Sequence, residues 1–421
     1  MNTDLSQNLN MNLEARLSRR VRQIKISATK EMPMIAARVG GCVSLGQGIP
    51  SFMTPPHVVD AVCRALREDP AAGKYSLQPG MPELRAAAAE LLRVEKDLPA
   101  DPEREVAITV GGMEGLLCAM LTLVGPGDEV IVPEPFYPSH VEQILMAEGT
   151  PVFAPLRRSD WGLDVDAVAA AITPRTKAVI VSSPHNPTGA VFAKADLLAL
   201  AALAIKHDIF VICDDTYDAL TYEDPDGGPD GPDRPDRSDR SGGPGAAFSL
   251  MSVPELRHLL VGVFSFSKRF ALTGWRVGFL WAREQLLNQM LKIHDAAAIC
   301  APTPAQIAAL ASLSGPQDVF AAMRVELEKR RDLICARLTA MAGRFSFVRP
   351  RGAFYVMAKA EFPVLDSRDL ALRLIREAHV ITIPGGAFGP GGEGHVRLSF
   401  GGAEAEIETA CDRLAAWSSQ L

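Results

Sequence analysis

Through the middle of the chain, short apolar runs alternate with helical patterns. Val- and Ile-rich runs bounded by turn residues predict strands at Val106–Val110, Glu129–Val132, Ala178–Ser182, Ile209–Cys213, Leu259–Phe264 and Val277–Trp281. Apolar positions at helical spacing predict helices between them, for example Met113–Val124 and Lys194–Lys206. Such alternation implies α/β architecture, with a mostly parallel sheet covered by helices on both faces. After about Gln306 the texture changes. Long helical patterns (Val319–Ala342, Ser367–Ala378) accompany short strands near Phe354–Met357 and His395–Ser399, which reads as a smaller α+β unit. The expected organisation is an N-terminal arm with part of the small domain (1–47), a large domain (48–305) and a C-terminal small domain (306–421). No repeat period of about 20–50 residues is visible, which excludes a solenoid.

One segment breaks the pattern. Residues 223–247 are near-repeats of Pro, Gly, Asp and Arg, with almost nothing apolar to bury. They are expected to form a flexible insertion rather than a lid, because surface loops accept extra length at small entropic cost.

Composition narrows the function classes. A chain of 421 residues, 48% hydrophobic and 22% charged, can build a core large enough to enclose a ligand without disulfides. The net charge of −7 and the lack of a long basic block argue against nucleic acid as the main partner. The 7 cysteines are scattered and form no C-x-x-C pair, so reduced thiols in a cytoplasmic protein are expected rather than disulfides or a metal site. No apolar stretch approaches the ~20 residues of a membrane span, and the polar N-terminus does not read as a secretory signal.

The strongest chemical signal is SFSKRFALTGWRVGF, directly after the strand at Leu259–Phe264. A lysine at a strand end, Lys268, flanked by Ser265 and Ser267, suits an amine that forms a Schiff base with an aldehyde. Arg276 offers a guanidinium fork to a phosphate, and Ser265 adds a neutral donor. Alone, such a lysine is usually a surface residue, so its companions decide. Asp214 and Tyr217 follow the strand at Ile209–Cys213, where ligands of parallel sheets bind. An aspartate there can hold a pyridine nitrogen protonated, although two acids opening a loop is also an ordinary pattern. Asn186 lies in HNPTG after the strand at Ala178–Ser182; it can bond a ring oxygen or simply form a turn. Gly111, Gly112 and Met113 join a strand to a helix whose bare amides favour a phosphate. Tyr137, after another strand, can stack on a ring or fill core. Arg397 sits between apolar residues of a short strand and needs a buried carboxylate partner, either structural or a substrate.

Taken in order, these motifs resemble the class I/II aminotransferases, the fold-type I family of pyridoxal 5′-phosphate (PLP) enzymes. The ordered set is L-G-x-G at Leu45–Gly48, Y-x-x-x-x-G-x-P-x-L-R from Tyr75, the Gly-Gly turn, N-P-x-G, D-x-x-Y, the lysine motif and a late R-L-S-F. The resemblance runs from about Ile35 to the C-terminus. It implies a PLP-binding large domain with Lys268 as the Schiff-base lysine, Asp214 on the pyridinium nitrogen, and Tyr217 and Asn186 on the ring oxygen. Ser265, Arg276 and the amides of Gly112 and Met113 would hold the phosphate, with Tyr75 reaching in from a neighbouring subunit. Tyr137 would stack on the ring. Arg397, Asn186 and the backbone at Gly48 would hold the substrate carboxylate. A homodimer with shared active sites is implied, as is ping-pong transfer of an amino group from an L-amino acid to a 2-oxo acid such as 2-oxoglutarate or pyruvate. The insertion at 223–247 is longer than the family leads one to expect, and no second Arg or Lys is evident for a distal carboxylate. A C–S β-lyase acting on cysteine conjugates shares the fold and the lysine and is the alternative.

Overall fold

The structure is a computed structural model and describes residues 15–24, 27–222 and 248–420. The insertion at 223–247 and the first fourteen residues of the arm therefore lie outside the described residues. Strands are numbered in chain order. Val43–Ser44 (β1) comes first. Seven strands then form one sheet: β2 (Val106–Thr109), β3 (Glu129–Glu134), β4 (Thr150–Pro155), β5 (Thr176–Ser182), β6 (Phe210–Asp214), β7 (Leu260–Ser265) and β8 (Gly278–Trp281). Their spatial order is β2-β8-β7-β6-β5-β3-β4. All run parallel except β8, which is antiparallel to both its neighbours.

The six expected strands are all present, with ends shifted by one or two residues. They were legible because helices cover both faces, so nearly every residue of β2, β5, β6 and β7 is buried. Strand β4 was not anticipated. It is an edge strand, TPVFAP, largely open to solvent and bounded by prolines, so it has neither an apolar run nor a strict alternation. The parallel register brings three strand ends level: Ser182 lies opposite Asp214, and Asp214 opposite Val263, two residues before the end of β7.

A second, antiparallel sheet has the order β12-β13-β10-β9, built from β9 (Phe345–Phe347), β10 (Tyr355–Ala360), β12 (Ile383–Pro384) and β13 (His395–Ser399). Strand β11 (Val380–Ile381) pairs in parallel with β1, so residues near position 43 join the C-terminal part of the chain. Helices Asp318–Ala340 and Ser367–Glu377 match the expected long helical patterns to within two residues. One continuous apolar cluster runs from the large sheet into the smaller one, linking Val211 and Phe264 to Phe354 and Leu398.

Candidate active site

Strand β2 ends at Thr109, and Gly111 turns the chain with φ +72° into the helix Gly111–Leu123. Only glycine adopts that φ without strain. A Cβ on Gly111 would also lie 2.9 Å from Nη2 of Arg276, and one on Gly112 would lie 3.3 Å from Cβ of Ser265. The two glycines therefore form the floor of a cup walled by Arg276 and Ser265, with the first amides of the helix facing it. Arg276 anchors its own turn by donating Nη1–H to the Thr273 carbonyl at 3.0 Å.

Asp214 closes β6 and is buried. Burial pushes its carboxyl upward, but hydrogen bonds from His140 and Thr216 outweigh this and hold it below the usual aspartate range. His140 Nε2 lies 2.9 Å from Oδ2, and the Thr216 hydroxyl donates to Oδ1 at 2.6 Å. The result is a buried anion at a strand end. The ring of Tyr137 packs edge-on against His140, 5.4 Å between centroids, and its hydroxyl reaches the Met113 sulfur at 3.6 Å. Met113 is further fixed through its carbonyl, which accepts from Gln143 Nε2 at 2.9 Å.

Lys268 sits on the single helical turn Phe266–Arg269 that follows β7. Its Nζ donates to the Gly48 carbonyl at 2.6 Å. Burial, then the charges of Arg276 and Arg397, pushes its ammonium down to about 8. A lysine so depressed carries a far larger neutral fraction near neutrality than an ordinary one, and the neutral amine is the form that a nucleophile or proton carrier requires.

Arg397, on β13, is 2% exposed. It donates to Asn186 Oδ1 at 3.0 Å and to the Gly46 carbonyl at 2.8 Å. Its guanidinium lies 4.3 Å from the Tyr355 ring centroid and 4.9 Å from that of Phe388. Among the described residues no carboxylate pairs with it, and its Nε has no hydrogen-bond partner. The structural carboxylate that the sequence left open is therefore not among them. Tyr217 is buried, with its hydroxyl 2.8 Å from that of Tyr355.

The chain thus gathers Gly112, Met113, Tyr137, Asn186, Asp214, Tyr217, Ser265, Lys268, Arg276 and Arg397 around one region, with Gly48 beside Lys268. Two placements differ from simple expectation. The Gly48 carbonyl accepts from Lys268, and it is the Gly46 carbonyl that touches Arg397. Tyr75 is 77% exposed on its own chain. Sequence reasoning missed His140, Thr216 and Tyr355. Thr216 stood inside the D-D-T-Y motif as the natural cap for Asp214, so it could have been found. His140 could not, because it acts on a residue 74 positions away.

A sequence profile described as aminotransferase class I and II matches residues 41–414. The chain belongs to that family. It is 34% identical to an aromatic-amino-acid aminotransferase of Thermococcus litoralis over 94% of this chain and 97% of the other. It is equally similar, 34% over 94% and 97%, to an aspartate aminotransferase of Pyrococcus abyssi. The solved aspartate aminotransferase of Thermus thermophilus with maleate superposes with a TM-score of 0.85 at 36% identity, covering 95% and 99% of the two chains. These relatives lend no support to the lyase alternative. The protein is a PLP-dependent aminotransferase. Its residues suit that cofactor: a glycine-floored cup with Arg276 and Ser265, an ionised buried aspartate and a lysine of lowered pKa. Among the described residues no group of three His, Cys, Asp or Glu could hold a metal ion, and no helix is long and apolar enough to cross a membrane.

Proposed function

We propose that this aminotransferase takes the amino group of an L-amino acid and passes it to a 2-oxo acid such as 2-oxoglutarate or pyruvate, with Arg397 gripping the α-carboxylate that both substrates share. The observation that carries this reading is the buried Arg397 without a counterion among the described residues, 2% exposed. An uncompensated guanidinium in such a place is costly, and a substrate carboxylate compensates it in the family's own chemistry. PLP, when bound, supplies a protonated ring that delocalises the electrons of the substrate Cα–H bond. The residues around it have complementary tasks. Lys268 carries the proton at the substrate α-carbon. Asp214, kept ionised by His140 and Thr216, holds a proton on the ring nitrogen. Tyr217 and Asn186 serve the ring oxygen. Ser265, Arg276 and the amides of Gly112 and Met113 hold the phosphate. Tyr137 covers the ring.

The division into an arm with part of the small domain (1–47), a PLP-binding domain (48–305) and a small domain (306–421) belongs to the same reading. Separate sheets at 106–281 and 345–399 support it. A homodimer also belongs to it, supported by the exposed apolar side chains of Tyr75, Leu77, Met53 and Ile49. A reducing, cytoplasmic setting agrees with seven unpaired cysteines.

The decisive measurement is a donor panel with the PLP-loaded protein, using 2-oxoglutarate and pyruvate as acceptors. Turnover of α-amino acids, with no turnover of the matching decarboxylated amines, is expected. Equal rates on both would overturn the role given to Arg397. Release of pyruvate from cysteine conjugates without an acceptor would restore the lyase reading.

A further inference from the structure

Behind the site lies a set of charges, buried at Lys96 and Asp218 and half-buried at Glu95 and Arg269, that the proposed chemistry does not use. The helix Pro82–Lys96 ends with Glu95 and Lys96. Lys96 is 2% exposed, and its Nζ lies 2.9 Å from Asp218 Oδ2 and 3.6 Å from Asp215 Oδ2. Glu95 makes a two-pronged ion pair with both terminal nitrogens of Arg269. Each of these partners is the chain neighbour of a residue in the site: Asp215 is next to Asp214, Asp218 next to Tyr217, and Arg269 next to Lys268.

We propose that Glu95 and Lys96 are positioning residues for transamination, fixing the Lys268 turn and the Asp214–Tyr217 turn relative to each other from the side opposite the cofactor. The proposal rests on the functional reading above. Asp214 and Asp215 point opposite ways, Asp214 to His140 and Asp215 to Lys96, so the strand end is held on both sides. Both catalytic turns are tied to consecutive residues of one helix end, so neither can shift without straining the other. The buried Lys96–Asp218 pair is weak evidence for stability, because apolar packing of the same volume often does as well or better; fixing a geometry is its better attested use. The local electrostatics agree. Burial works to lower the Lys96 ammonium, but Asp218 and Asp215 outweigh it and raise it, so the lysine stays charged. A cation in the last turn of a helix also matches the helix dipole. Asp215 is pushed up to about 6 by burial and by Asp218 and Asp214, against the pull of Lys96.

The test is a double-mutant cycle on PLP-loaded protein with Glu95→Gln, Arg269→Gln and the two combined, beside Lys96→Met and Lys96→Arg. Glu95→Gln is expected to lower kcat by about tenfold with donor KM within about twofold, the pattern of a lost transition-state geometry rather than lost binding. The pH midpoint of the visible cofactor band should move away from that of the parent, with PLP still bound. The combined variant should lose no more than either single change, as expected for groups that act as one unit. Lys96→Arg should recover most of the kcat lost in Lys96→Met. If Lys96→Met does not fold, the Glu95–Arg269 cycle decides alone. Variants with lower thermal midpoints but unchanged kcat and unchanged band titration would make the cluster purely structural and overturn the proposal. The parent protein is assayed alongside. An inactive parent would sink the functional reading, whereas an active parent with unaffected variants would sink only the positioning role.

Discussion

Arg397 and Lys268 show what a single side chain can be made to do by its surroundings. The fork of Arg397 is already half engaged, by Asn186 and the Gly46 carbonyl, which fixes its plane before any substrate arrives. A lysine at the same place keeps the charge and loses the plane. Arg397→Lys should therefore retain PLP and its colour while kcat/KM falls by at least about two powers of ten, the cost of misaligning a charge-assisted pair worth roughly 3 kcal/mol. The loss should be similar for every amino-acid donor, because all share the α-carboxylate. A defect confined to acidic donors would move Arg397 to the side-chain carboxylate, and loss of PLP would make it a structural residue. Lys268 yields a pH prediction. Its ammonium, near 10.5 in an unfolded chain, is pushed down to about 8 by burial and by Arg276 and Arg397. Between those values the unfolded chain binds the extra proton, so the neutral amine belongs to the folded state. The rate at which cofactor-free protein takes up PLP should rise with pH and level off above about 8, as read from the visible band. A flat profile from pH 6 to 10 would mean that deprotonation of Lys268 does not limit uptake. At this scale the sequence named the candidate site residues but not the residues that hold them. Lys268, Asp214 and Arg397 announce themselves by lying in motifs, whereas His140 and Tyr355 act across the fold on residues far along the chain.

The turn between β2 and the helix Gly111–Leu123 carries the proposed phosphate cup, and a methyl group added at Gly111 would point at Arg276. The sequence placed that helix at Met113. It starts two residues earlier because Gly111, at φ +72°, makes the turn itself and frees the next amides. Gly111→Ala meets two penalties. The left-handed backbone costs a non-glycine residue roughly 1–2 kcal/mol. The new Cβ would also lie 2.9 Å from Arg276 Nη2, so the guanidinium must move out of the cup. PLP should then dissociate at least about tenfold more readily, since one tenfold step is only about 1.4 kcal/mol, while the fold survives. Dialysis against PLP-free buffer, read by residual absorbance, measures this, and unchanged retention would show that the cup lies elsewhere. The six strands that carry the other site residues were legible for a plain reason. A strand buried on both faces must be a continuous apolar run, and the site lies just past the carboxyl ends of such runs. Strand β4 was illegible for the converse reason, since an exposed edge strand needs no such run.

Across the whole molecule, the site is assembled from two sheets: Asn186, Asp214 and Lys268 lie at or just past strand ends of the large one, and Arg397 lies on the small one. The ordered motifs made this convergence legible before any coordinates, and the resemblance they carry implies that Tyr75 comes from a neighbouring subunit. Its loop is firmly built. Gln306 accepts from the Met81 amide at 2.7 Å and donates to Ser76 at 2.8 Å, Thr303 holds the Lys74 carbonyl at 2.6 Å, and His294 touches the Gln78 carbonyl at 3.1 Å. Yet this well-anchored loop presents Tyr75 at 77% exposure and Leu77 at 60%. Rigid display of an aromatic side chain away from its own core is what a residue acting in a second subunit requires. Mixing inactive variants separates the two possibilities. Lys268→Ala removes the reacting amine, and Tyr75→Ala is expected to weaken the phosphate grip. If Tyr75 serves its own chain, each subunit of a mixed dimer keeps its defect, and a reassembled mixture is no more active than its parents. If Tyr75 serves the partner, a mixed dimer places both defects in one site and leaves the other intact. Random reassembly of equal amounts makes half the dimers mixed, each with one sound site of two. Activity at limiting PLP should then rise to about a quarter of the unaltered enzyme, as closed two-fold symmetry dictates. An activity equal to the average of the two parents would place Tyr75 outside the shared site, and a monomeric, fully active protein in light scattering would remove the shared site altogether.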